Sequence, residues 1–443
     1  MKYSDAIAFW FGRINYEVRS AATTDLKLER MRALLRLLDD PQDRLRIVHV
    51  TGTKGKGSTC AMLDAILRSA GYRVGLFTSP HLERVEERFQ VNRVPISEAE
   101  FCTLMEEVAA AVRVMDASTE WAGPTFFEIS TALGFLHFVR RRVEAAILEV
   151  GLGGRFDSTN VCNPLLTILT SVGFDHMQQL GTTLEAIAYQ KAGILKRNVP
   201  CLSGVTQPEA RAVVRRIAAE LNVPLIELGS EQLGHRRLGN ELWVFGPSMN
   251  RVGLYLNLLG SHQDANATLA VAAVDELNRL GLTIPPSAVV DGLKGVVWPA
   301  RIECVQREPF VVVIDSAHNV PSAEALVQTL SEAFPAARPR VAVFAVSNDK
   351  QYREMLTLFA GFFDHFALTI YTYNARSVPA VTLAETLDEV SPGKSHSVHD
   401  QPLAAWEAAK VRTAGGGLLV VCGSVFLAGE LRGRILADLK GTA

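Results

Sequence analysis

The 443-residue sequence contains no apolar stretch approaching the length of a membrane span, so no membrane partner is expected. Its six cysteines (60, 102, 162, 201, 304 and 422) include no C-x-x-C pair and no disulfide-framework spacing. They read as small buried hydrophobes in a reducing compartment, which points to the cytoplasm. Met1-Lys-Tyr-Ser-Asp-Ala-Ile7 has no sustained apolar h-region, so no signal peptide is expected. Neither sign of charge dominates. Lys and Arg number 45 against 47 Asp and Glu, a net of −2 that offers no basic footprint for nucleic acid. The ten histidines are scattered, and neither an internal repeat nor a low-complexity tract stands out. What remains is an ordinary globular composition, 48% hydrophobic and 21% charged. The length exceeds what one hydrophobic core supports, so at least two domains are expected.

The most informative stretch is Ile47-Val-His-Val-Thr-Gly-Thr-Lys-Gly-Lys-Gly-Ser-Thr59. A β-branched run reads as a buried strand, and Cys60-Ala-Met-Leu-Asp-Ala-Ile-Leu67 reads as a helix. Strand, glycine loop and helix together turn backbone N–H groups and a helix N-terminus toward a phosphate chain. Gly52, Thr53, Gly55 and Gly57 shape the loop. Lys56 reaches the β- and γ-phosphates, and Ser58 or Thr59 puts a hydroxyl on Mg²⁺. Gly57 separates the lysine from the hydroxyl, a departure from G-x-x-x-x-G-K-[ST] that marks a subclass of nucleotide loop.

Strands alternate with helices along the chain, which predicts α/β architecture with a doubly wound, mostly parallel sheet. Strands are expected near 73–77, 145–150, 165–172, 199–203 and 224–227. Helices are expected over 28–38, 97–115, 127–142, 183–193, 208–221 and 264–280. Residues 235–259 alternate and carry turn residues, which suggests a small antiparallel appendage. Pro299 interrupts the pattern in Gly295-Val-Val-Trp-Pro-Ala-Arg301, placing a boundary between domains 1–297 and 298–443. Beyond it, strands near 310–315, 340–346, 366–371 and 417–422 alternate with helices over 322–333, 350–363, 381–390, 401–412 and 424–439. They predict a smaller, Rossmann-like α/β domain of ordinary size.

Ligands of open α/β sheets sit beyond the carboxyl ends of the strands, and polar residues gather there. Ser79 and His81 follow one strand, Glu149 ends another, and Asp175-His176 follows a third. Glu149 closes an apolar run where an unpartnered charge is costly, and a cation resolves that cost. Mg²⁺ favours oxygen, so His176 is the weaker donor. Lys191 falls near the end of a predicted helix, where a solvated cation favoured by the dipole is the plain reading. Thr125 and Glu128 read as a capping box. Asp25 or Thr24 suits a helix N-cap, and Asp315 and His318 follow a strand of the second domain. Arg301, just past Trp298-Pro299, suits a plain salt bridge where two domains meet or, with a nucleotide in the cleft, stabilisation of transferred phosphoryl charge.

In order, Thr51–Ser58, Thr78–Leu82, Thr125–Glu128, Glu149–Asp157, Gly173–His176, Lys191–Ile194, His262–Ala267, Trp298–Arg301, Asp315–Asn319 and Gly423–Ser424 resemble the folylpolyglutamate and dihydrofolate synthases of the Mur-ligase type. The resemblance runs from about residue 25 to the C-terminus. It implies a P-loop ATPase domain followed by a glutamate-ligase domain, and an ATP-dependent amide ligase. A carboxylate is phosphorylated to an acyl phosphate, which the amine of L-glutamate captures. The acceptor is dihydropteroate or a reduced folate. The resemblance assigns ATP to Gly52, Thr53, Gly55, Lys56, Gly57, Ser58, Thr59, Asn266, Arg301, Asp315 and His318. It assigns two Mg²⁺ ions to Ser58, Ser79, Glu149, His176 and a carbamylated Lys191. Asp25, Thr125, Phe127, Glu128, Phe156, Asp157 and Ser424 fall on the substrate side. Lys56, Lys191, His176 and Arg301 are the catalytic candidates, in a cytoplasmic monomer. Lys27, Gln190, Ala300, Ser316 and Val320 depart from the family's usual residues. Another Mur-type amino-acid ligase and a nucleotide-binding homologue without ligase chemistry share many of these motifs.

Overall fold

The computed structural model describes residues 1–15, 28–118, 123–231, 233–246, 249–372, 376–413 and 415–441. The chain folds as two compact units, Met1–Asn257 with Gln263–Val296, and Leu258–His262 with Val297–Ala443.

The first unit is built on strands β1 (Ile47–Thr51), β2 (Val74–Phe77), β3 (Phe89–Val91), β4 (Val94–Pro95), β5 (Ala145–Glu149), β6 (Leu166–Leu169), β7 (Cys201–Ser203) and β8 (Leu225–Glu227). They form one sheet in the order β4-β3-β2-β5-β1-β6-β7-β8. All pairings from β2 to β8 are parallel, and β3 and β4 add an antiparallel edge. β1 and β5 are buried at every position, as strands covered on both faces must be. One core cluster joins the sheet to helices Tyr3–Phe11, Glu98–Asp116 and Phe126–Arg140. The helix Lys56–Ser69 packs on helix Pro286–Gly295, where a Cβ at Gly292 would lie 2.6 Å from the α-carbon of Ile66. The expected appendage is a three-stranded antiparallel sheet of β9 (Gly234–Leu238), β10 (Glu241–Gly246) and β11 (Met249–Tyr255).

The second unit contains β12 (Glu303–Gln306), β13 (Val311–Ile314), β14 (Arg340–Phe344), β15 (His365–Leu368), β16 (Ser395–Val398) and β17 (Leu418–Cys422) in the order β12-β13-β17-β14-β15-β16. Only β12 runs antiparallel. Its core is the cluster around Phe344, Phe359, Phe363 and Leu418. No helix among the described residues is long and apolar enough to cross a membrane.

Several elements differ from expectation for local reasons. The strand expected over 165–172 stops at Leu169, because Thr170 and Ser171 turn to bond the neighbouring loop. The helix expected over 350–363 spans Tyr352–Ala360 and gives way at Gly361. Helix Tyr3–Phe11, the β3–β4 edge, helix Pro286–Gly295 and strands β12 and β16 were not anticipated from the sequence pattern. Thr24, Asp25 and Lys27 lie outside the described residues.

Candidate active site

β1 ends at Thr51, and the chain turns through Gly52 (φ +154°) and Gly55 (φ +86°) into helix Lys56–Ser69. Both glycines are required by close approach. A Cβ would meet Thr170 Oγ1 at 1.9 Å from Gly52, or Asn266 Oδ1 at 2.2 Å from Gly55. The loop is laced to the end of the adjacent strand β6. Thr53 N–H donates to Ser171 O at 2.9 Å, and Lys54 N–H to Ser171 Oγ at 2.9 Å. The Thr170 and Ser171 hydroxyls both donate to Lys54 O, at 2.6 and 3.0 Å. Gly173 N–H donates to Thr53 Oγ1 at 3.0 Å. Lys56 Nζ donates to Gly52 O at 3.1 Å, so its ammonium already curls over the loop. Gly57 is half-buried in the first helical turn, followed by buried Ser58 and Thr59. The N-terminus of a long helix with this lysine beside it is a ready anion site. Asn266, from helix His262–Arg279, is brought onto the loop with its amide donating to Gln263 Oε1 at 2.9 Å.

Polar groups at the neighbouring strand ends converge on the same edge. Glu149 is 6% exposed, and its Oε2 accepts the Ser79 N–H at 3.3 Å. Lys54 Nζ lies 3.6 Å from Asp175 Oδ2. His176 takes a left-handed conformation (φ +49°) at the start of the short helix Met177–Leu180, and its side chain is 58% exposed. Lys191 ends helix Leu184–Lys191 and is 4% exposed, which overturns its reading as a solvated charge. Burial pushes its ammonium down to about 7. Lys56 adds to the effect, and Asp175 opposes it. The loop following Glu149 fixes this helix end. Arg155 N–H donates to Gln190 O at 2.8 Å, and the Arg155 guanidinium stacks 3.9 Å over the Tyr189 ring. A Cβ on Gly154 would lie 2.9 Å from Lys191 O.

Of the residues expected on the substrate side, Thr125, Phe127, Glu128, Phe156 and Asp157 gather around the start of helix Phe126–Arg140 and the loop after Glu149, whereas Ser424 lies in the second unit. Thr125 caps helix Phe126–Arg140, and Glu128 Oε2 accepts from its N–H and hydroxyl at 2.8 and 2.9 Å. Arg30 Nε donates to the same carboxylate at 2.8 Å. The Phe127 ring lies on Gly151, where a Cβ would be 2.5 Å from Cζ. Phe156, beside this loop, is 44% exposed. Asp157 is buried. Its Oδ2 accepts from Gly151 and Leu152 N–H at 3.1 and 3.0 Å, so it shapes the loop that bears it. Burial pushes the Asp157 carboxyl up, against these hydrogen bonds.

Within the second unit, Asp315 follows β13, and its two oxygens accept from Ile302 and Ala317 N–H at 2.8 and 2.7 Å. Burial raises its pKa, and Arg301 opposes the rise. Arg301 is exposed and donates to the Ser316 hydroxyl, so the serine that departs from the family pattern holds the arginine. His318 Nδ1 lies 2.8 Å from Ser316 O. Ser424 follows β17, is buried, and accepts from Phe426 N–H at 3.1 Å.

Among the described residues, no three His, Cys, Asp or Glu side chains gather as a metal cage. Mg²⁺ needs none: one or two carboxylates, hydroxyls, phosphate oxygens and water suffice. The buried Glu149 with Ser58 and Ser79 fits that chemistry, and exposed His176 fits it less well. The residues missed by sequence reasoning are Thr170, Ser171, Lys54, Arg30 and His49. Thr170 and Ser171 had a signal, since polar residues at the end of a strand beside β1 must face its loop. Arg30 had none, because 98 residues separate it from Glu128.

The family description "Mur ligase middle domain" matches residues 50–274, and "Mur ligase, glutamate ligase domain" matches residues 300–425. A dihydrofolate synthase/folylpolyglutamate synthase of Bacillus subtilis is 35% identical over 439 residues, covering 98% of this chain and 99% of the relative. A folylpolyglutamate synthase of Lacticaseibacillus casei is 31% identical over 98% of this chain and 99% of its own length. Among solved structures, the folylpolyglutamate synthase of Thermotoga maritima superposes with a TM-score of 0.86 at 30% identity, covering 98% of this chain and 96% of that one. The E. coli FolC complex with DHPP and ADP gives 0.84 at 28% identity, covering 99% of both chains.

Proposed function

The chain belongs to the folylpolyglutamate synthase/dihydrofolate synthase family of Mur ligases, and from that premise we propose that it joins L-glutamate to the carboxylate of dihydropteroate, a reduced folate or both. It is an ATP-dependent, amide-forming ligase. ATP's γ-phosphoryl group passes to the substrate carboxylate, giving ADP and an acyl phosphate. The glutamate amine then attacks the acyl carbon, and phosphate leaves.

Phosphoryl transfer needs in-line placement and charge neutralisation more than covalent help. The loop from Gly52 to Thr59 holds the phosphates against the helix N-terminus, and Lys56 supplies positive charge. Asn266, beside Gly55, is assigned to the nucleotide. In the second unit, Arg301, Asp315 and His318 are assigned to the nucleotide, and Ser424 to the glutamate side. Thr125, Phe127, Glu128, Phe156 and Asp157 are assigned to the pterin end. Two Mg²⁺ ions would be held by Ser58, Ser79, Glu149, His176 and Lys191, and would neutralise phosphate charge there. Lys191 suits its part through burial. An amine whose pKa sits at about 7 is largely unprotonated above neutrality, and the free amine can add CO₂ to become a carbamate with oxygen donors.

That buried amine, beside the lysine-bearing loop, is the observation that carries the reading. The enzyme is assigned as a cytoplasmic monomer acting on small molecules, with no nucleic-acid partner. ADP release should require both glutamate and either dihydropteroate or tetrahydrofolate, with product masses one glutamyl unit larger. Turnover unaffected by a magnesium chelator, or by Lys56→Ala, would contradict the assignment.

A further inference from the structure

His49 is the third residue of β1, in the strand that leads into the phosphate loop. It is completely buried although polar, and no step of the proposed chemistry uses it. Burial pushes its imidazole down to about 3, with the Lys196 ammonium assisting. The ring is therefore neutral at physiological pH, with one nitrogen a donor and the other an acceptor.

Its neighbours decide which. Nε2 lies 2.8 Å from Thr159 Oγ1, and Thr159 Oγ1 lies 2.5 Å from Asp157 Oδ1. Both Asp157 oxygens also accept backbone N–H groups: Oδ1 from Thr159 at 3.0 Å, and Oδ2 from Gly151 and Leu152. Three backbone donors on its two oxygens hold Asp157 as an acceptor against the upward push of burial, so the single hydroxyl proton of Thr159 points to Asp157. The contact with His49 then requires a proton on Nε2. On the other side of the ring, Cys162 Sγ lies 3.8 Å from Nδ1. Burial raises that thiol to about 12, so its S–H is intact to meet the Nδ1 lone pair. One directional chain satisfies every group: Cys162 S–H to Nδ1, Nε2–H to Thr159, and Thr159 O–H to Asp157.

We propose that His49 is a positioning residue: acting through Thr159, it holds the Asp157 carboxylate, and with it the Gly151–Leu152 turn, in the conformation that receives the pterin end of the substrate. The proposal rests on the assignment of Asp157 to the pterin side. It ties the pterin-side carboxylate to the strand that presents ATP. A hydroxyl donating to a carboxylate is among the stronger hydrogen bonds, and its orientation here depends on the imidazole behind it.

Two measurements on the full-length protein test this. In ¹⁵N-histidine spectra, His49 should show a protonated Nε2 and a bare Nδ1 from pH 8 to pH 5. A ring protonated at Nδ1 would overturn the proposal, and this measurement needs no substitution. In steady-state kinetics, Thr159→Val should raise KM for the pterin substrate by about tenfold while KM for ATP changes less than about twofold. Thr159→Ser, which keeps the hydroxyl, should restore the pterin KM. Adding His49→Phe to Thr159→Val should cost no more than the larger single effect, because both break the same chain. If Asp157→Ala leaves the pterin KM unchanged, the substrate assignment falls and the proposal with it. If Asp157→Ala raises the pterin KM and Thr159→Val does not, the proposal alone falls.

Discussion

Replacing Lys191 by methionine should make the protein more stable while abolishing ligation. The amine is 4% exposed, and burial lowers its pKa from 10.5 to about 7. When folded, the protein rejects a proton that the unfolded chain binds. The penalty therefore grows as pH falls from about 10.5 to about 7, and is constant below that. At pH 7.5 it amounts to about 4 kcal/mol, falling to about 1.5 kcal/mol at pH 9.5. Methionine fills similar space with an unbranched chain and carries no charge. Urea unfolding of wild type and Lys191→Met, in CO₂-free buffer at both pH values, reads the difference. Tryptophan fluorescence follows both units, with Trp10 stacked on Phe126 at 4.6 Å in the first and buried Trp406 in the second. The variant should exceed wild type by several kcal/mol at pH 7.5, and by clearly less at pH 9.5. Any constant gain from added apolar contact cancels in the comparison between the two pH values. A gap that does not narrow toward pH 9.5, or a variant less stable at pH 7.5, would refute the reasoning. Ligase activity should fall by at least about a hundredfold, as the proposed metal-holding role of Lys191 requires.

Gly55→Ala forces a left-handed residue to carry a Cβ 2.2 Å from Asn266 Oδ1, and should cost about 1–2 kcal/mol of stability, seen as a lowered urea midpoint. Its KM for ATP should rise roughly tenfold, with the pterin KM little changed. Gly151→Ala drives the Phe127 ring from its seat, an overpacking worth about 1–3 kcal/mol, and should raise the pterin KM more than that for ATP in the same steady-state assay. Acid should destabilise the first unit through His49. Its folded pKa of about 3 lies below the ordinary 6.5, so the stability is present above pH 6.5 and is lost as pH falls toward 3. Between pH 7.5 and 5, wild type should lose about 2 kcal/mol more than His49→Phe in urea titrations. His365, lowered to about 4 chiefly by burial, should act in the same direction in the second unit.

Much of this architecture was legible because its strands are buried on both faces. Ala145–Glu149 and Leu418–Cys422 read as near-continuous apolar runs, and Ile47–Thr51 as a β-branched run around one histidine, with glycine or polar residues at their ends. The phosphate loop was legible for the same reason: its glycines and lysines are contiguous. What escaped were features made by distant partners. The environment of Lys191 depends on the loop 151–155 closing over its helix, a contact between segments more than thirty residues apart. The short β3–β4 edge and β16 carry too few apolar residues to register, and they exist because neighbouring strands offer free hydrogen-bonding edges. His49 was counted as one letter of an apolar strand. Its partners Thr159 and Cys162 lie more than a hundred residues away.

The lacing of residues 53–54 to 170–173 makes the nucleotide loop half of a two-piece part. Transplanting 51–59 into another scaffold would carry the glycines and lysines, but would leave behind the hydroxyls that set their curvature. A working graft would have to move 166–173 as well, and keep Thr51 in register with Leu169. Insertions in either segment should therefore be tolerated only when the other changes with it, although the two look independent on paper.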